Sequence, residues 1–292
     1  MLDRYFKVLR GRAKAKFMLA KKRSLDKKIT EAYIALESCD LCEWKCRVNR
    51  NGGETGFCKV GNHPRIFSAS THWGEEQELT PSATLFFSGC TMKCCYCQNG
   101  PQSVNYESGE KWSLQSIARW IDKKHKEGCR NVNFVGGEPT PNVPFILKAL
   151  SKVKSNMPVV FNSNGYYSEK TAQLLKDVMD VYLLDFRYFD SQCAEHLSKV
   201  RNYPEVLKRN LLLAEKDAEL VIRLLVLPGH IECDAKPILE WISQNLVSYK
   251  LNILPQYWPA WRAFESPEIG RKLHISEFNE VAKYAHDLGI EI

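Results

Sequence analysis

The stretch of sequence that decides the fold runs from Ala83 to Cys97 and reads ATLFFSGCTMKCCYC. Its first half is a short apolar run, typical of a buried strand, and the cysteines follow directly. Three of them, at positions 90, 94 and 97, can occupy three corners of an iron–sulfur cube. Because a cube has four irons, one iron has no protein ligand in this loop, which is typical of a reactive centre. The cysteine triplet, Cys90, Cys94 and Cys97, is therefore predicted to hold a [4Fe–4S] cluster.

Short apolar runs alternate with longer amphipathic stretches from this point to the end of the chain. Such alternation predicts an α/β fold with a parallel sheet covered on both faces. Six units favour an open, partial (β/α)6 barrel, with a helical and cysteine-rich extension before it. The predicted strands are Ala83–Ser88, Asn131–Val135, Pro158–Phe161, Val181–Leu184, Leu220–Leu227 and Lys250–Leu254, and the predicted helices are Leu114–Lys126, Pro144–Lys154, Glu169–Val178, Glu205–Lys216, Ala235–Leu246 and Ile275–Leu288.

Composition restricts the class of protein and its compartment. The chain has 292 residues, 44% hydrophobic and 26% charged, which is ordinary for a globular protein. It contains neither an apolar run of membrane-spanning length nor a signal-peptide pattern, so we expect a cytoplasmic protein without a membrane partner. Eleven cysteines in a reducing compartment indicate metal or redox chemistry rather than disulfides. Cys129, Cys193 and Cys233 stand alone and are predicted to be small buried apolar residues.

A second group of cysteines, the amino-terminal quartet, precedes the triplet. It consists of Cys39, Cys42, Cys46 and Cys58, which fall in a loop rich in Gly and Asn. Four thiols in twenty residues can close around one metal centre, and both zinc and an auxiliary [4Fe–4S] cluster fit them. A full set of four ligands indicates a structural or electron-relay site.

The positive charge of the chain is concentrated at its amino terminus. Residues 1–30 carry eleven Lys and Arg against two Asp, which gives 11 − 2 = +9 in a chain of net charge +7. The apolar residues between these charges recur near a helical period. We therefore predict a basic helical arm over 1–37, a cysteine-rich loop over 38–75 and the barrel over 76–292. We favour packing of the arm on the barrel over a docking surface for an acidic protein or RNA.

A glycine-rich segment supplies a second motif at the end of the second predicted strand. It reads Gly136-Gly137-Glu138-Pro139 and permits a close approach of the backbone to a ligand. With the triplet spacing C-x3-C-x2-C, it resembles the radical S-adenosylmethionine (SAM) superfamily, and within it the pyruvate formate-lyase activating enzymes. The resemblance implies that this segment holds the methionine end of SAM, whose amino and carboxylate groups chelate the open iron.

Segments after the later predicted strands also correspond to segments of the activating enzymes, in the same order along the chain. The activating enzymes carry Lys where this chain has Arg187, and they carry a Tyr-His pair where this chain has Gln256-Tyr257 without the His. Trp258, Trp261 and Phe264 follow that position and are either core residues or the wall of a substrate cleft. The cofactor-binding residues that the resemblance implies are Gly136, Gly137, Glu138, Pro139, Ser163, Asn164, Asp185, Arg187 and Arg223.

The resemblance also implies an activity and its partners. A low-potential donor, ferredoxin or flavodoxin, reduces the cluster, and SAM is then cleaved to methionine and a 5′-deoxyadenosyl radical that abstracts hydrogen from a substrate. Such a cluster is oxygen-labile, so an anaerobic host is expected. The leading hypothesis is abstraction from a protein residue, as in the activation of glycyl-radical enzymes. One alternative is a small-molecule or RNA substrate, and another is a zinc-stabilised binding module without enzymatic activity.

Overall fold

The protein is described here by a computed structural model that covers residues 2–21 and 24–291. Its centre is one sheet of eight strands in the order β3-β1-β2-β4-β5-β6-β7-β8. The two ends of the sheet do not pair with each other, so the barrel is open. The strands are β1 (Arg65–His72), β2 (Ser82–Phe87), β3 (Glu110–Lys111), β4 (Asn131–Gly136), β5 (Val159–Ser163), β6 (Val181–Asp185), β7 (Glu219–Leu225) and β8 (Lys250–Leu254).

Six of these strands are parallel and correspond to the six that the apolar runs predicted. β2, β4, β5, β6, β7 and β8 pair in that order, each with its neighbour in the same direction. The predicted partial barrel is confirmed. In the register of β2 with β4, Phe87 lies opposite Gly136. This pairing brings the loop that carries the cysteine triplet next to the glycine-rich segment.

Two antiparallel strands, β1 and β3, extend one edge of the sheet and were not predicted. β1 pairs with β2, and β3 pairs with β1 over two residues. Most residues of β1 are only half-buried, so its sequence RIFSASTH contains no apolar run that would mark a strand. β1 lies inside the segment 38–75, which we had assigned to the cysteine-rich loop, so this sheet begins before residue 76.

Helices follow the parallel strands and cover the outer face of the sheet. The two ends of each predicted helix agree with the structure to within a few residues, and one additional helix, α7, separates β6 from α8. The helices are α1 (Asp3–Leu9), α2 (Lys16–Ala20), α3 (Leu25–Ile34), α4 (Leu114–Lys126), α5 (Val143–Leu150), α6 (Glu169–Leu175), α7 (Ser191–Ser198), α8 (Tyr203–Asp217), α9 (Lys236–Asn245) and α10 (Ile275–Asp287).

The basic arm forms three short helices, of which α1 and α2 pack on the amino ends of the strands and α3 packs on α5 and α6. The backbone N–H of Arg4 donates to Glu219, at the start of β7, over 2.7 Å. The N–H of Lys16 donates to Asp180, just before β6, over 3.0 Å, and Tyr5 is fully buried. α1 and α2 therefore lie at the end of the barrel opposite to the cysteine triplet. Residues 22 and 23 of the predicted arm lie outside the described residues.

Across residues 2–21 and 24–291, none of the helices combines the length and the apolar character needed to cross a membrane.

Candidate active site

A cavity of about 480 Å³ lies at the carboxyl edge of the sheet. The parallel strands all end there, so the loops that follow them face one space. Of the predicted triplet and SAM contacts, Pro139 alone does not line this cavity, and the amino-terminal quartet lies outside its wall. The predicted residues that line it are Cys90, Cys94, Cys97, Gly136, Gly137, Glu138, Ser163, Asn164, Asp185, Arg187 and Arg223.

Two sulfur atoms of the triplet have polar partners within 3.3 Å from other parts of the site, and the Cys90 sulfur accepts from Asn164 Nδ2 at 3.8 Å. The Cys94 sulfur accepts from Arg187 Nη1 at 3.3 Å and from Ser198 Oγ at 3.0 Å. The sulfur of Cys97 lies 3.2 Å from Ser103 Oγ. Hydrogen bonds to cluster sulfurs are one way in which proteins set the reduction potential of an iron–sulfur centre. The surroundings of both sulfurs therefore fit a cluster ligand.

Position relative to the cavity distinguishes the triplet, whose three cysteines line it, from the neighbouring Cys95. Burial raises the pKa of the Cys90 and Cys94 thiols, and the charge of Arg187 opposes this rise at Cys94, so the iron of a bound cluster would further stabilise thiolates here. Cys95 does not line the cavity, and its carbonyl oxygen accepts a hydrogen bond from the Arg262 N–H at 2.9 Å. The residues present therefore fit a cluster held by the triplet, without Cys95.

The two glycines of the GGEP segment allow β4 to lie against the triplet loop. Gly136 has φ +119°, and a Cβ there would lie 2.2 Å from the backbone nitrogen of Phe87. A Cβ on Gly137 would lie 2.2 Å from the carbonyl oxygen of Gly89. Both obstacles are backbone atoms, which cannot turn aside as a flexible side chain would. Glycine is required here for close contact between the two loops.

Glu138 is buried and joins the ends of β4 and β5. Its Oε1 accepts hydrogen bonds from the N–H and the hydroxyl of Thr140 and from the Ser163 hydroxyl, over 2.6–3.0 Å. Its Oε2 accepts from the Asn164 N–H at 2.9 Å. Burial raises the pKa of this carboxyl, although all four hydrogen bonds lower it. The Glu138 side chain is thus occupied with protein donors and positions Ser163 and Asn164 at the cavity wall.

Replacing Glu138 by glutamine should destabilise the fold. A glutamine has one acceptor oxygen, so its NH₂ group would face an N–H donor and leave at least one buried donor unsatisfied. We expect the free energy of unfolding to fall by about 1–3 kcal/mol in urea titrations. Glu127→Gln, which alters an exposed carboxylate on α4, is the control and should leave stability nearly unchanged. Equal unfolding of Glu138→Gln and wild type would contradict this role.

Arg187 connects the end of β6 to the cysteine triplet. Its Nη2 donates to Asp185 at 2.6 Å while its Nη1 contacts the Cys94 sulfur. A lysine would offer one ammonium group in place of this fork, so the change from Lys in the activating enzymes has a geometric consequence. The guanidinium contacts a cluster ligand and an acidic side chain at the same time.

Arg223 has carboxylate partners that the sequence did not predict. Its Nε and Nη2 lie 2.7 Å and 2.5 Å from oxygens of Glu76 and Glu75, which also line the cavity. Burial opposes ionisation of Glu75, but His72 and Arg223 lower its pKa. The two glutamates follow β1, and because that strand was not predicted, nothing placed them near the site. Direct contact of Arg223 with SAM stays a prediction, since two carboxylates already neutralise its charge.

The comparison with protein families agrees with this geometry. The profile of the Radical SAM superfamily matches residues 84–242, which are 159 of the 292 residues and include both the triplet and the GGEP segment. This chain belongs to the radical SAM superfamily. Membership implies a [4Fe–4S] cluster and SAM as cofactors, and it favours an enzyme over a zinc-stabilised binding module.

Relatives extend the likeness beyond the family domain. This radical SAM protein is 41% identical over 275 residues to an uncharacterised protein of Methanocaldococcus jannaschii, covering 92% of this chain and 80% of that one. It is 25% identical over 181 residues to the pyruvate formate-lyase 1-activating enzyme of Escherichia coli strain K12, covering 59% of this chain and 72% of the enzyme. Similarity to the pyruvate formate-lyase activating enzymes, the predicted subtype, is therefore only distant.

Among solved structures, the chain shares its fold with SuiB of Streptococcus suis bound to S-adenosylmethionine. The TM-score is 0.50 at 17% sequence identity, over 68% of this chain and 44% of SuiB. The chain thus spans less than half the length of this structural relative, and the likeness shows the fold alone.

The amino-terminal quartet of this radical SAM protein lies beside the triplet loop. A Cβ on Gly89 would lie 2.8 Å from the carbonyl oxygen of Cys58, and the indole N–H of Trp44 donates to the Thr91 carbonyl at 2.7 Å. Burial lowers the pKa of the Lys93 ammonium, whereas the sulfurs of Cys90 and Cys58 both raise it. Lys93 therefore lies within electrostatic reach of both cysteine groups.

A fully buried arginine accompanies the quartet. Arg50 Nη1 lies 3.9 Å from the Cys39 sulfur, and the other guanidinium contacts are with carbonyl oxygens of Gly61 and Pro141. Within the part of the chain that the structure describes, no carboxylate pairs with Arg50. A hydrogen bond from Cys46, with the charge of Arg50, lowers the pKa of the Cys39 thiol. The buried positive charge of Arg50 fits a negatively charged metal–thiolate centre at the quartet. The presence of zinc or of an auxiliary cluster there stays a prediction.

The prediction that Cys193 and Cys233 are isolated buried residues is wrong. Both are half-buried, and their sulfurs lie 3.8 Å apart. His230 is not isolated either, because its Nδ1 lies 3.4 Å from the Cys233 sulfur. Cys193 is 40 residues away along the chain, so spacing alone could not reveal the contact. Cys129 is buried, as predicted.

Proposed function

We propose that this enzyme uses its cluster and SAM to abstract hydrogen from a protein or peptide substrate, as an activating enzyme does. When bound, the reduced cluster and SAM supply the 5′-deoxyadenosyl radical. Ferredoxin or flavodoxin is the proposed electron donor. The observation that supports a macromolecular substrate is a set of exposed aromatic side chains around the mouth of the cavity.

These aromatic residues, the aromatic rim, are next to cavity-lining residues in the chain or in space. Trp73 is 71% exposed and lies between His72 and Gly74, both in the cavity wall. Trp258 is 49% exposed and follows Tyr257, another wall residue. The rim consists of Trp73, Trp258 and Trp261, the last of which lies against Gly100, next to the wall residue Asn99. Aromatic side chains are enriched in protein–protein interfaces, and exposed apolar patches commonly mark interaction sites.

The protein's own groups prepare the cavity for SAM. The triplet supplies thiolates, and Gly136 and Gly137 bring backbone within reach of a ligand. Glu138 holds Asn164 at the wall, and Arg187 beside Asp185 supplies a cation for a carboxylate. Walls formed by the strand ends and their loops limit the access of water to the reacting groups.

The position of the basic arm favours a protein substrate over RNA. The arm packs on the amino ends of β6 and β7 through contacts such as Lys16 with Asp180. The cavity lies at the carboxyl ends of the same strands, so an RNA held by α1 and α2 would bind at the opposite end of the barrel. A small-molecule substrate is the second candidate, supported by the cavity volume of about 480 Å³.

Transfer of deuterium tests the class of substrate. A fully deuterated extract of the source organism would be divided by ultrafiltration and incubated anaerobically with the enzyme, SAM and dithionite. We expect 5′-deoxyadenosine to gain deuterium from the macromolecular fraction, and to lose this gain after protease treatment but not after ribonuclease. Transfer from the filtrate alone, or a gain that ribonuclease abolishes, would contradict the proposal in favour of a small molecule or RNA.

Removing an aromatic side chain from the rim should weaken substrate binding without slowing SAM cleavage itself. We expect Trp258→Ala and Trp73→Ala each to reduce deuterium transfer at limiting extract by roughly 30-fold, the effect of a strong interface residue. Formation of 5′-deoxyadenosine without extract should stay at the wild-type rate. Val247→Ala is the matched control, since Val247 is equally apolar, 94% exposed, and precedes β8 at the opposite edge. Equal losses in all three variants would contradict a role of the rim.

We further propose that the amino-terminal quartet holds a metal centre, either zinc or an auxiliary [4Fe–4S] cluster that relays electrons. The buried Arg50 beside Cys39 supports a centre of negative charge. Cys42→Ser should remove either one zinc or the iron of one cluster from the purified protein, as measured by elemental analysis. Cys129→Ser is the control and should keep the metal content of the wild type. The same metal content in Cys42→Ser would contradict the proposal.

A further inference from the structure

A third group of metal-ligating side chains lies after β6 and β7, outside the triplet and the quartet. It consists of Cys193, His230, Cys233 and Asp234, whose ligand atoms all lie within 4.8 Å of one another. Cys193 belongs to the first turn of α7, and the other three follow β7. None of the four lines the active-site cavity.

The distances within this group match those between the ligands of one tetrahedral zinc ion. With Zn–S bonds of about 2.3 Å, two sulfur ligands lie about 3.8 Å apart. The sulfurs of Cys193 and Cys233 are 3.8 Å apart. A nitrogen and an oxygen ligand, with bonds of about 2.0 Å, lie about 3.3 Å apart. His230 Nδ1 and Asp234 Oδ2 are 3.2 Å apart, and His230 Nδ1 lies 3.4 Å from the Cys233 sulfur.

The backbone after β7 is shaped to bring three of the ligands together. Ile231–Ala235 forms one turn of π-helix, a rare conformation that occurs often at functional sites. Gly229 precedes it with φ +76°, which turns the chain after β7. Cys233 and Asp234 lie within this π-turn, and His230 is the residue just before it. The unusual backbone therefore coincides with the cluster.

Other contacts hold two of the ligands in place before any metal binds. Asp234 is buried, and its Oδ1 accepts hydrogen bonds from the N–H groups of Phe189 and Asp190 at 2.7 Å and 2.9 Å. These bonds leave Oδ2 directed at the cluster. Asp190 in turn caps α7 by accepting from the N–H of Cys193 at 3.1 Å. Such supporting hydrogen bonds are typical of the surroundings of metal ligands.

We propose that Cys193, His230, Cys233 and Asp234 form a structural zinc site. Two sulfurs, one imidazole nitrogen and one carboxylate oxygen in a tetrahedron suit zinc, and four protein ligands leave no open position for catalysis. The ion connects the loop after β6 to the loop after β7. The first of these loops contains Arg187, which contacts the Cys94 sulfur, so the zinc site steadies one side of the active-site cavity.

Metal content of the full chain tests this site. The protein would be purified anaerobically without added metal, and zinc and iron would be counted by inductively coupled plasma mass spectrometry. We expect Cys193→Ser/Cys233→Ser to contain about one zinc ion per chain less than the wild type, with unchanged iron. The zinc content of the variant is subtracted from that of the wild type, so any zinc bound by the quartet, which is the same in both, cancels. Cys129→Ser, which alters a cysteine outside the cluster, should contain as much zinc as the wild type.

A measurement on the wild type covers the case in which the double variant does not fold. Alkylation followed by peptide mass spectrometry should leave Cys193 and Cys233 unlabelled in the zinc-containing protein and label both after chelation. The site would be rejected by equal zinc in variant and wild type, or by labelling that chelation does not change. A disulfide between the two cysteines in the anaerobic protein would also reject it.

Discussion

Replacing Cys94 by alanine is expected to remove the catalytic cluster and to abolish SAM cleavage. Cys94 is buried, and its sulfur receives hydrogen bonds from Arg187 and Ser198. With only two thiolates left, the cluster would lose one of its three protein ligands. Loss of a second-shell partner of a metal typically costs 10–100-fold, so loss of a ligand should cost at least about a hundredfold in 5′-deoxyadenosine formation. Iron content and the visible absorption of the cluster should fall with it.

Cys95→Ala is the matched control for this variant, because the two cysteines are adjacent in the chain and only Cys94 lines the cavity. We expect Cys95→Ala to keep the cluster and at least most of the activity. A variant at position 94 that retains its iron and its activity, or equal losses in both variants, would show that the triplet is not the ligand set.

The second large effect is expected for Gly136→Ala. Its φ of +119° disfavours any L side chain by about 1–2 kcal/mol. The added Cβ would lie 2.2 Å from the Phe87 nitrogen, so β2 and β4 would have to separate. Overpacking of this kind costs about 1–3 kcal/mol more. We expect the free energy of unfolding to fall by about 3 kcal/mol and SAM affinity to fall at least about tenfold.

Gly128→Ala separates the cost of a positive φ from the cost of the steric contact that the added Cβ makes in Gly136→Ala. Gly128 has a comparable φ of +89°, but a Cβ there would meet no atom within 4 Å. Its substitution should cost about 1 kcal/mol of stability and leave SAM binding unchanged. The measurements are urea unfolding and anaerobic calorimetric titration of SAM. If the two variants behave alike, the close approach of the GGEP segment to the triplet loop has no functional role.

The sequence was sufficient for those features that depend on local pattern. The six parallel strands have continuous apolar runs because both faces of the sheet are covered, and such runs are visible without a structure. The triplet and the GGEP segment each follow a strand directly. Since parallel strands end at one edge, the order along the chain was enough to predict that these motifs meet.

Features that depend on tertiary contacts could not be predicted in this way. β1 is half-exposed and contains Arg65, Ser68 and Ser70, so its pattern is not that of a strand. Consequently the pairing of Arg223 with Glu75, 148 residues apart, was not foreseen. The arm was predicted as helical, whereas the structure divides it into three short helices, and Gly11 with φ +69° follows the first.

The contact between Cys193 and Cys233 shows the same limitation in the cysteine pattern. Clustering along the chain identified the triplet and the quartet, because their members lie close in sequence. Cys193 comes from α7, whereas His230, Cys233 and Asp234 follow β7. The adjacent positions of β6 and β7 in the sheet bring these loops together. The spacing of the cysteines along the chain cannot show that β6 and β7 are neighbours in the sheet.

Reductive cleavage of SAM by the triplet cluster can be measured directly on the wild-type protein through the product 5′-deoxyadenosine. The wild-type protein would be reconstituted anaerobically with iron and sulfide, reduced with dithionite and mixed with SAM, and 5′-deoxyadenosine would be followed by chromatography. We expect formation of 5′-deoxyadenosine that depends on both SAM and reductant. Iron-loaded, reduced protein that binds SAM and yet forms no 5′-deoxyadenosine would contradict it.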